Sequence, residues 1–384
     1  MEKITKREFI KYLAAGLSSA CLSPCLDALS LIARLGGNAR AEGPNRWSRE
    51  AMFYEKTERG IRCLKCPHSC VIKENGTGIC RNRMNYRGKL YTIAYGNPCA
   101  VHIDPIEKKP FFHFLPASRS FSIATAGCNL RCLNCQNWQI SQFSPLDTYN
   151  IDFPPSRVVA ESLSNNCASI AYTYSEPTTF FEYTYDTARI AREKKIKNVI
   201  KSSGYINEIP LRYLSKVIDA ANIDLKCFDD GIYQKLSGAR LEPVLNTLKV
   251  LKEEGVWLEI TNLIVPEWTD NLNTIKKMCE WLRNNGFSNV PLHFTRFTPM
   301  YKLTHLPLTP ISTMEKAREI AINAGLNYVY LGNVPGHPAE NTYCPQCKKM
   351  IIERKGFTIL ANHVSKGKCR FCGYPIAGVF AIST

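Results

Sequence analysis

Acidic residues are scarce in this 384-residue chain: 33 Asp and Glu stand against 49 Lys and Arg, a formal charge of +16. Such a surplus invites nucleic acid, but its densest run, Arg189 to Lys201, reads as the solvated face and end of a helix. No stripe of interleaved basic and aromatic residues goes with it, and metal-bound thiols, being deprotonated, would cancel part of the surplus. Nucleic acid is therefore not an expected partner. An unbroken apolar run long enough to span a membrane is also lacking, because Pro24 and Asp27 interrupt the best stretch, residues 12–35. That stretch follows Thr5-Lys-Arg-Glu-Phe-Ile-Lys11 and precedes Ala39-Arg-Ala41. The first resembles a twin-arginine export signal with lysine in place of the first arginine, and the second has the small-x-small form of a cleavage site. Residues 1–41 are thus either such a signal or an N-terminal helix.

Cysteine, by contrast, is abundant, at 17 residues. The chain is too long for a disulfide-stapled mini-domain, and most of the cysteines fall in short groups, which points to metal binding. Cys99, Cys167, Cys227 and Cys279 stand alone and are expected as small core residues. Cys63-Leu-Lys-Cys66-Pro-His-Ser-Cys70 and then Cys80 offer four thiolates for zinc or an auxiliary Fe–S cluster, with His68 able to replace one. Cys344-Pro-Gln-Cys347 and Cys369-Arg-Phe-Cys372 flank a short β-rich segment, the pattern of a zinc ribbon, with a rubredoxin-like iron site as the alternative.

The remaining group differs. Cys128, Cys132 and Cys135 are spaced C-x3-C-x2-C in Gly127-Cys-Asn-Leu-Arg-Cys-Leu-Asn-Cys-Gln136, and the run has no fourth cysteine. Closed Fe–S sites normally take four protein ligands. Three thiolates on a cubane 4Fe–4S cluster leave one iron open to a chelating amine and carboxylate, which S-adenosylmethionine carries on its methionine end. An electron passed into the adjacent sulfonium would cleave a C–S bond and release a 5′-deoxyadenosyl radical. The spacing resembles the signature of the radical SAM superfamily.

From about Ser118 to Pro335, short β-branched runs alternate with helical patterns. Strands are expected at 121–125, 169–172, 198–202, 221–225, 257–263, 291–294 and 328–331, with helices at 155–165, 179–194, 210–220, 241–255, 271–286 and 312–325. Repeated βα units argue for an α/β fold with a parallel barrel or open barrel, in which function collects where strands end. The cysteine loop follows the first strand. Ser203 follows the third, and Asp224 and Lys226 share one side of the segment after the fourth because strand side chains alternate. Asn262 lies at the end of the fifth. Lys226 either reaches a bound cofactor or forms a rim salt bridge with Asp224. His293, Arg296 and His337, near the last strand ends, are candidates for binding an anionic substrate or carrying protons, or ordinary rim residues. The charged run Asp104-Pro-Ile-Glu-Lys-Lys-Pro110 reads as a connector.

The combination of Cys63-x2-Cys-Pro-His-x-Cys70, Asp104-Pro-Ile-Glu-Lys-Lys-Pro110, Cys135-Gln-Asn-Trp138, Tyr172-Thr-Tyr-Ser-Glu-Pro177, Pro291-Leu-His-Phe-Thr-Arg-Phe297 and Gly332-Asn-Val-Pro-Gly-His337 resembles the pyruvate formate-lyase activating enzyme branch of that superfamily, and more closely the AmmeMemoRadiSam family. The resemblance implies a partial (β/α)6 TIM-type barrel at 118–337, between a Cys-rich metal module at 42–117 and a zinc-ribbon-like module at 338–384. It implies a 4Fe–4S cluster, S-adenosylmethionine, an electron donor of flavodoxin or ferredoxin type, and AMMECR1-type and Memo-type neighbours. The substrate is left open between a small metabolite and a glycyl-radical-type protein. Tyr174, Ser175 and Glu176 stand where many relatives have Gly-Gly-Glu, whose backbone and carboxylate grip the methionine ammonium. Asn134 replaces an aromatic residue common before the third cysteine. The cytoplasm is the expected location on cofactor supply, with export the alternative. The rival class is a non-catalytic zinc-knuckle binding protein.

Overall fold

Seven apolar runs separated by helical patterns dictate parallel pairing, because each strand can return to its neighbour only through a crossover. In a computed structural model describing residues 43–381, the strands are β1 (Ala100–Pro105), β2 (Arg119–Ala124), β3 (Ser169–Tyr172), β4 (Lys197–Ser202), β5 (Ala220–Asp224), β6 (Trp257–Ile264), β7 (Leu292–Arg296) and β8 (Val329–Gly332). They form one eight-stranded sheet in chain order. Strands β2 to β8 are parallel, with Phe121 opposite Ile170, Ile200 opposite Ala221 and Ile260 opposite Leu292. Six βα steps therefore lead to a seventh parallel strand, and all seven end on one side of the molecule. The sheet is open: among the described residues β1 and β8 are its two edges and do not pair with each other. The signal reading of residues 1–41 lies outside the described residues.

The edge strand β1 corrects one expectation. Asp104 and Pro105 are not part of a connector but end a strand antiparallel to β2, and only Ile106–Lys108 makes a short helical turn. Proline is tolerated there because an edge strand has one unpaired side.

The helices are α1 (Pro155–Ser164), α2 (Phe181–Glu193), α3 (Glu208–Ser215), α4 (Asp230–Ser237), α5 (Leu241–Glu253), α6 (Leu272–Asn284) and α7 (Ile311–Asn323). Each buries one stripe against the sheet. In α6, Asn271 caps the helix by accepting from Thr274 N at 3.0 Å, and Ile275, Met278, Cys279 and Leu282 face inward at helical spacing. Burying such side chains contributes about 1.5–3 kcal/mol each. Helix α4 was not expected, since eight residues carry too little periodicity. It starts at Asp229, which accepts from Ile232 N at 2.8 Å, and stops at Gly238 with φ of 69°. Of the isolated cysteines, Cys167, Cys227 and Cys279 are buried, while Cys99 is half-buried with its thiol 3.6 Å from the Ala124 carbonyl oxygen.

Short antiparallel strands flank the sheet. On the N-terminal side, buried Lys65 and Arg83 both bind Glu182 of α2, at 2.8 and 2.7 Å. On the C-terminal side, β9 (Met350–Lys355) and β10 (Thr358–Asn362) form a hairpin joined by Thr342–Tyr343. Arg354 of β9 donates to the Phe112 carbonyl at 2.9 Å and to Thr342 Oγ1 at 2.7 Å, and it stacks 4.3 Å over the Phe112 ring. His113 ties the tail down from the other direction, with Nδ1 2.6 Å from the Ala377 carbonyl and Nε2 2.5 Å from Tyr330 Oη.

Candidate active site

The loops after the parallel strands enclose a cavity of about 700 Å³. Cys128, Cys132 and Cys135 wall one end of it, with Asn134 beside them. The loop reaches this place through Gly127, at φ of 97°, where a Cβ would lie 1.9 Å from Asn82 Oδ1; only glycine fits. The loop is then pinned to the unexpected helix α4, because Arg131 N and Leu133 N donate to Ser237 O and Leu236 O at 2.9 and 2.8 Å. Leu130 N approaches Cys128 Sγ at 3.3 Å.

Burial raises all three thiols: Cys128 well above its usual range, Cys135 upward, and Cys132 to about 11 despite the pull of Lys226. Loading such a site with metal therefore releases protons. The donor set fits an Fe–S cluster. Among the described residues, only the tail cysteines crowd their donor atoms within 4.8 Å of one another. Three sulfurs set wider apart suit several irons rather than one.

Glu176 lies at the floor of the cavity and is almost fully buried. Its carboxylate accepts from Thr178 N (3.1 Å), Ser202 Oγ (2.7 Å), Ser203 N (2.8 Å) and Ser203 Oγ (2.7 Å), so it clamps the ends of β3 and β4 together. Tyr174 keeps the backbone form that glycine would supply, with φ of 63°. Its carbonyl accepts from Asn137 Nδ2 at 2.8 Å, and Ser175 Oγ donates to the Thr125 carbonyl at 2.7 Å.

Asp224 and Lys226 also line the cavity, 3.0 Å apart, and Asp224 binds a second ammonium, Lys201. Burial would raise the Asp224 carboxyl, but the two lysines outweigh it and lower the group to about 2. Burial works against the Lys226 ammonium, yet Asp224 and Cys132 raise it well above its usual range. Two cations on one anion leave the cavity a positive surplus beside the thiols. Lys201 was missed in the sequence, although a lysine at the end of the apolar run Val199-Ile200 was a usable signal.

His293 reaches the cavity and its Nε2 lies 2.6 Å from Glu259 Oε2. Burial depresses the His293 pKa, against the upward pull of Glu259. Burial would raise Glu259, but the hydrogen bonds it accepts from His293 and the Phe112 backbone amide hold it below its ordinary value. Glu259 also was missed; it is a fully buried charge in the middle of β6, where an apolar residue is the rule. The remaining candidates lie outside the cavity lining. Asn262 is buried and donates to the Leu225 carbonyl at 2.7 Å. Arg296 donates to the Thr309 carbonyl at 2.8 Å. His337 caps the short turn Pro338–Glu340 and lies 3.3 Å from Glu315.

Two further cysteine groups stand apart. Cys344 and Cys372 approach to 3.6 Å and Cys347 and Cys369 to 3.8 Å, so the tail brings four sulfurs into a group able to hold a metal. Tetrahedral zinc with bonds of about 2.3 Å places its sulfurs about 3.8 Å apart. Cys63, Cys66, Cys70 and Cys80 lie on the opposite flank from the tail group, where Cys80 packs against Gly127 and His68 Nε2 lies 2.8 Å from the Asn129 carbonyl.

The strand-end loops of a mixed α/β fold thus bring three cysteines, Glu176 and Lys226 to one cavity. The sequence profile of the Radical SAM superfamily matches residues 122–282. An uncharacterized Methanocaldococcus jannaschii protein, MJ0808, is 49% identical over 331 residues, covering 85% of this chain and 98% of its own. Escherichia coli K12 pyruvate formate-lyase 1-activating enzyme is 24% identical over 208 residues, covering 50% of this chain and 85% of its own. Among solved structures, Streptococcus suis SuiB bound to S-adenosylmethionine aligns with a TM-score of 0.45 at 16% identity, covering 59% of this chain and 53% of that one. The chain belongs to the radical SAM superfamily and is an enzyme. The zinc-knuckle binding protein has no support. Among the described residues no helix is long and apolar enough to cross a membrane.

Proposed function

We propose that the enzyme binds a 4Fe–4S cluster through Cys128, Cys132 and Cys135, and S-adenosylmethionine beside it, in the cavity those cysteines share with Glu176 and Lys226. That shared cavity is the observation carrying the reading. When bound, the pair supplies reductive cleavage of S-adenosylmethionine and a 5′-deoxyadenosyl radical for an acceptor substrate. The protein's own residues set the stage. Backbone and hydroxyl donors fix the Glu176 carboxylate where the methionine ammonium would bind. Lys226, kept charged by Asp224, would bind the methionine carboxylate. Tyr174 and Ser175 present backbone to the same end.

At the far end, His293 lines the cavity with its Nε2 hydrogen-bonded to Glu259, and it is the residue placed to carry protons for the substrate. The acceptor is a small metabolite or a glycyl-radical-type protein. The same reading supplies a one-electron donor of flavodoxin or ferredoxin type, AMMECR1-type and Memo-type partners, a cytoplasmic location, and zinc in the tail. Cys128→Ala, Cys132→Ala and Cys135→Ala should each abolish 5′-deoxyadenosine release by anaerobically reconstituted enzyme given reductant. Retained release in the triple variant overturns the assignment. Comparing metabolites from cells with and without the enzyme then identifies the substrate class.

A further inference from the structure

The Cys63 group takes no part in the chemistry above, yet it is built as a closed site. Strands Gly60–Cys63 and Val71–Ile72 pair antiparallel. Cys63 N donates to Cys70 O, and Ser69 N to Cys66 O, both at 3.0 Å, which folds three of the cysteines onto one loop. Cys80 arrives on the next turn, closed by Arg81 N to Gly78 O at 2.9 Å.

Spacing points to the occupant, and charge and position are compatible with it. The tail sulfurs crowd to the separation of a single zinc, whereas among the described residues no three of Cys63, Cys66, Cys70 and Cys80 bring their sulfurs within 4.8 Å of one another. Thiolates bound to separate irons stand farther apart than thiolates sharing one metal. Arg83 is 1% exposed and faces Cys63; it gives Nη2 to Glu182, while its Nε and Nη1 have no partner. Buried Lys65 shares the same carboxylate, so one positive charge is left over beside the cysteines. Unpartnered buried donors are costly, and a four-thiolate metal centre, at about −2 for a cluster or a zinc alike, would meet them. Finally, the site abuts the catalytic loop. The Asn129 carbonyl lies 2.8 Å from His68 Nε2, and Gly127 packs on the Cys80 carbonyl.

We propose that Cys63, Cys66, Cys70 and Cys80 hold a second 4Fe–4S cluster, which feeds electrons to the Cys128, Cys132, Cys135 site. The relay rests on the radical SAM reading of that loop; the second cluster does not. One electron from a low-potential carrier protein reduces the outer cluster from its 2+ to its 1+ state. The outer cluster returns to 2+ as the inner one is reduced, and no atom or proton moves.

The test is iron, sulfide and zinc content after anaerobic reconstitution, with electron paramagnetic resonance of the dithionite-reduced protein. The wild type should hold about eight irons, and the triple Cys128→Ala, Cys132→Ala, Cys135→Ala variant about four. The triple variant should show one reducible signal, indifferent to S-adenosylmethionine. A Cys66→Ala, Cys70→Ala variant should also drop to about four irons and keep the cofactor-responsive signal. If that variant does not fold, the triple variant decides alone, because its outer site is intact. Reduced wild type should show magnetic broadening that both variants lose. An iron-free triple variant carrying two zincs overturns the second cluster, and sharp, additive wild-type signals overturn the relay. A wild type that holds both clusters but ignores S-adenosylmethionine would refute the radical SAM reading instead.

Discussion

Replacing Lys226 by methionine keeps the length of the side chain and deletes its charge. In the native cavity Asp224 is shared by Lys226 at 3.0 Å and by Lys201, so the three carry a net charge of +1 next to Cys132. Lys226→Met leaves Asp224 still paired with Lys201, which itself bonds Asn222 Oδ1 at 2.7 Å, and the surplus disappears. The fold should survive, since no buried charge is orphaned. A charge-assisted hydrogen bond to a ligand carboxylate contributes about 1.5–3 kcal/mol, roughly ten- to a hundredfold in affinity. Lys226→Met should therefore weaken S-adenosylmethionine binding by that factor with iron content unchanged, read by equilibrium titration of the reconstituted enzyme. Lys201→Met is the control: it removes the other ammonium from Asp224 but leaves Lys226 in place, and its loss should be smaller. Wild-type affinity in Lys226→Met, or equal losses in both variants, would refute the reasoning by showing that Lys226 serves only to hold Asp224.

Cys344→Ala or Cys372→Ala should cost about one zinc per chain and some folding yield, while the visible absorption of the cluster survives; a variant that keeps zinc and loses that absorption refutes the division of roles. His113 gives the stability a pH dependence of known sign. Burial lowers its pKa from 6.5 to about 4, so the folded state keeps it neutral between those values while the unfolded chain takes up a proton. The stabilisation is complete above pH 6.5 and is lost as the pH falls toward about 4, by up to about 3 kcal/mol. His113→Gln should flatten that part of a urea-unfolding series, and parallel wild-type and variant profiles would remove His113 as the cause.

The sequence made the seven parallel strands legible because each is a short β-branched run between helical patterns, and β3 falls on its expected bounds, Ser169–Tyr172. Signals that depend on partners far along the chain were not legible. Nothing local announces that Ser202 and Ser203 both serve Glu176, or that Glu259 is paired with His293 across two strands. The three-cysteine loop was readable from spacing alone, but its anchor was not, because α4 supplies carbonyls rather than side chains. Arg296 and His337 share the strand-end address of His293, yet backbone and cap contacts take them out of the cavity. Position at a strand end therefore selects candidates; the direction of each side chain decides among them.

Tyr174 joins two features that look unrelated in the sequence: the missing glycine pair before Glu176 and the charged run after β1. A tyrosine at φ of 63° sits where side chains are disfavoured, at a cost of about 1–3 kcal/mol unless its surroundings hold it. Here they do. Tyr174 Oη bonds the Asp104 carboxylate, Lys109 Nζ stands 4.8 Å over the ring, and His102 meets the ring edge at 5.6 Å. Burial would raise the Asp104 carboxyl, but Lys108, Lys109 and Tyr174 together push it far below its usual range, so the anchor is ionic. Lys109 in turn is brought down to about 8 by burial, held from falling further by Asp104. The edge strand thus supplies a charged socket for the ring, the ring fixes the left-handed backbone, and the carbonyl of that residue meets Asn137 just beyond Cys135. Glycine would give the same conformation by freedom; this chain gives it by constraint, and the run from Asp104 to Lys109 belongs to the site for that reason.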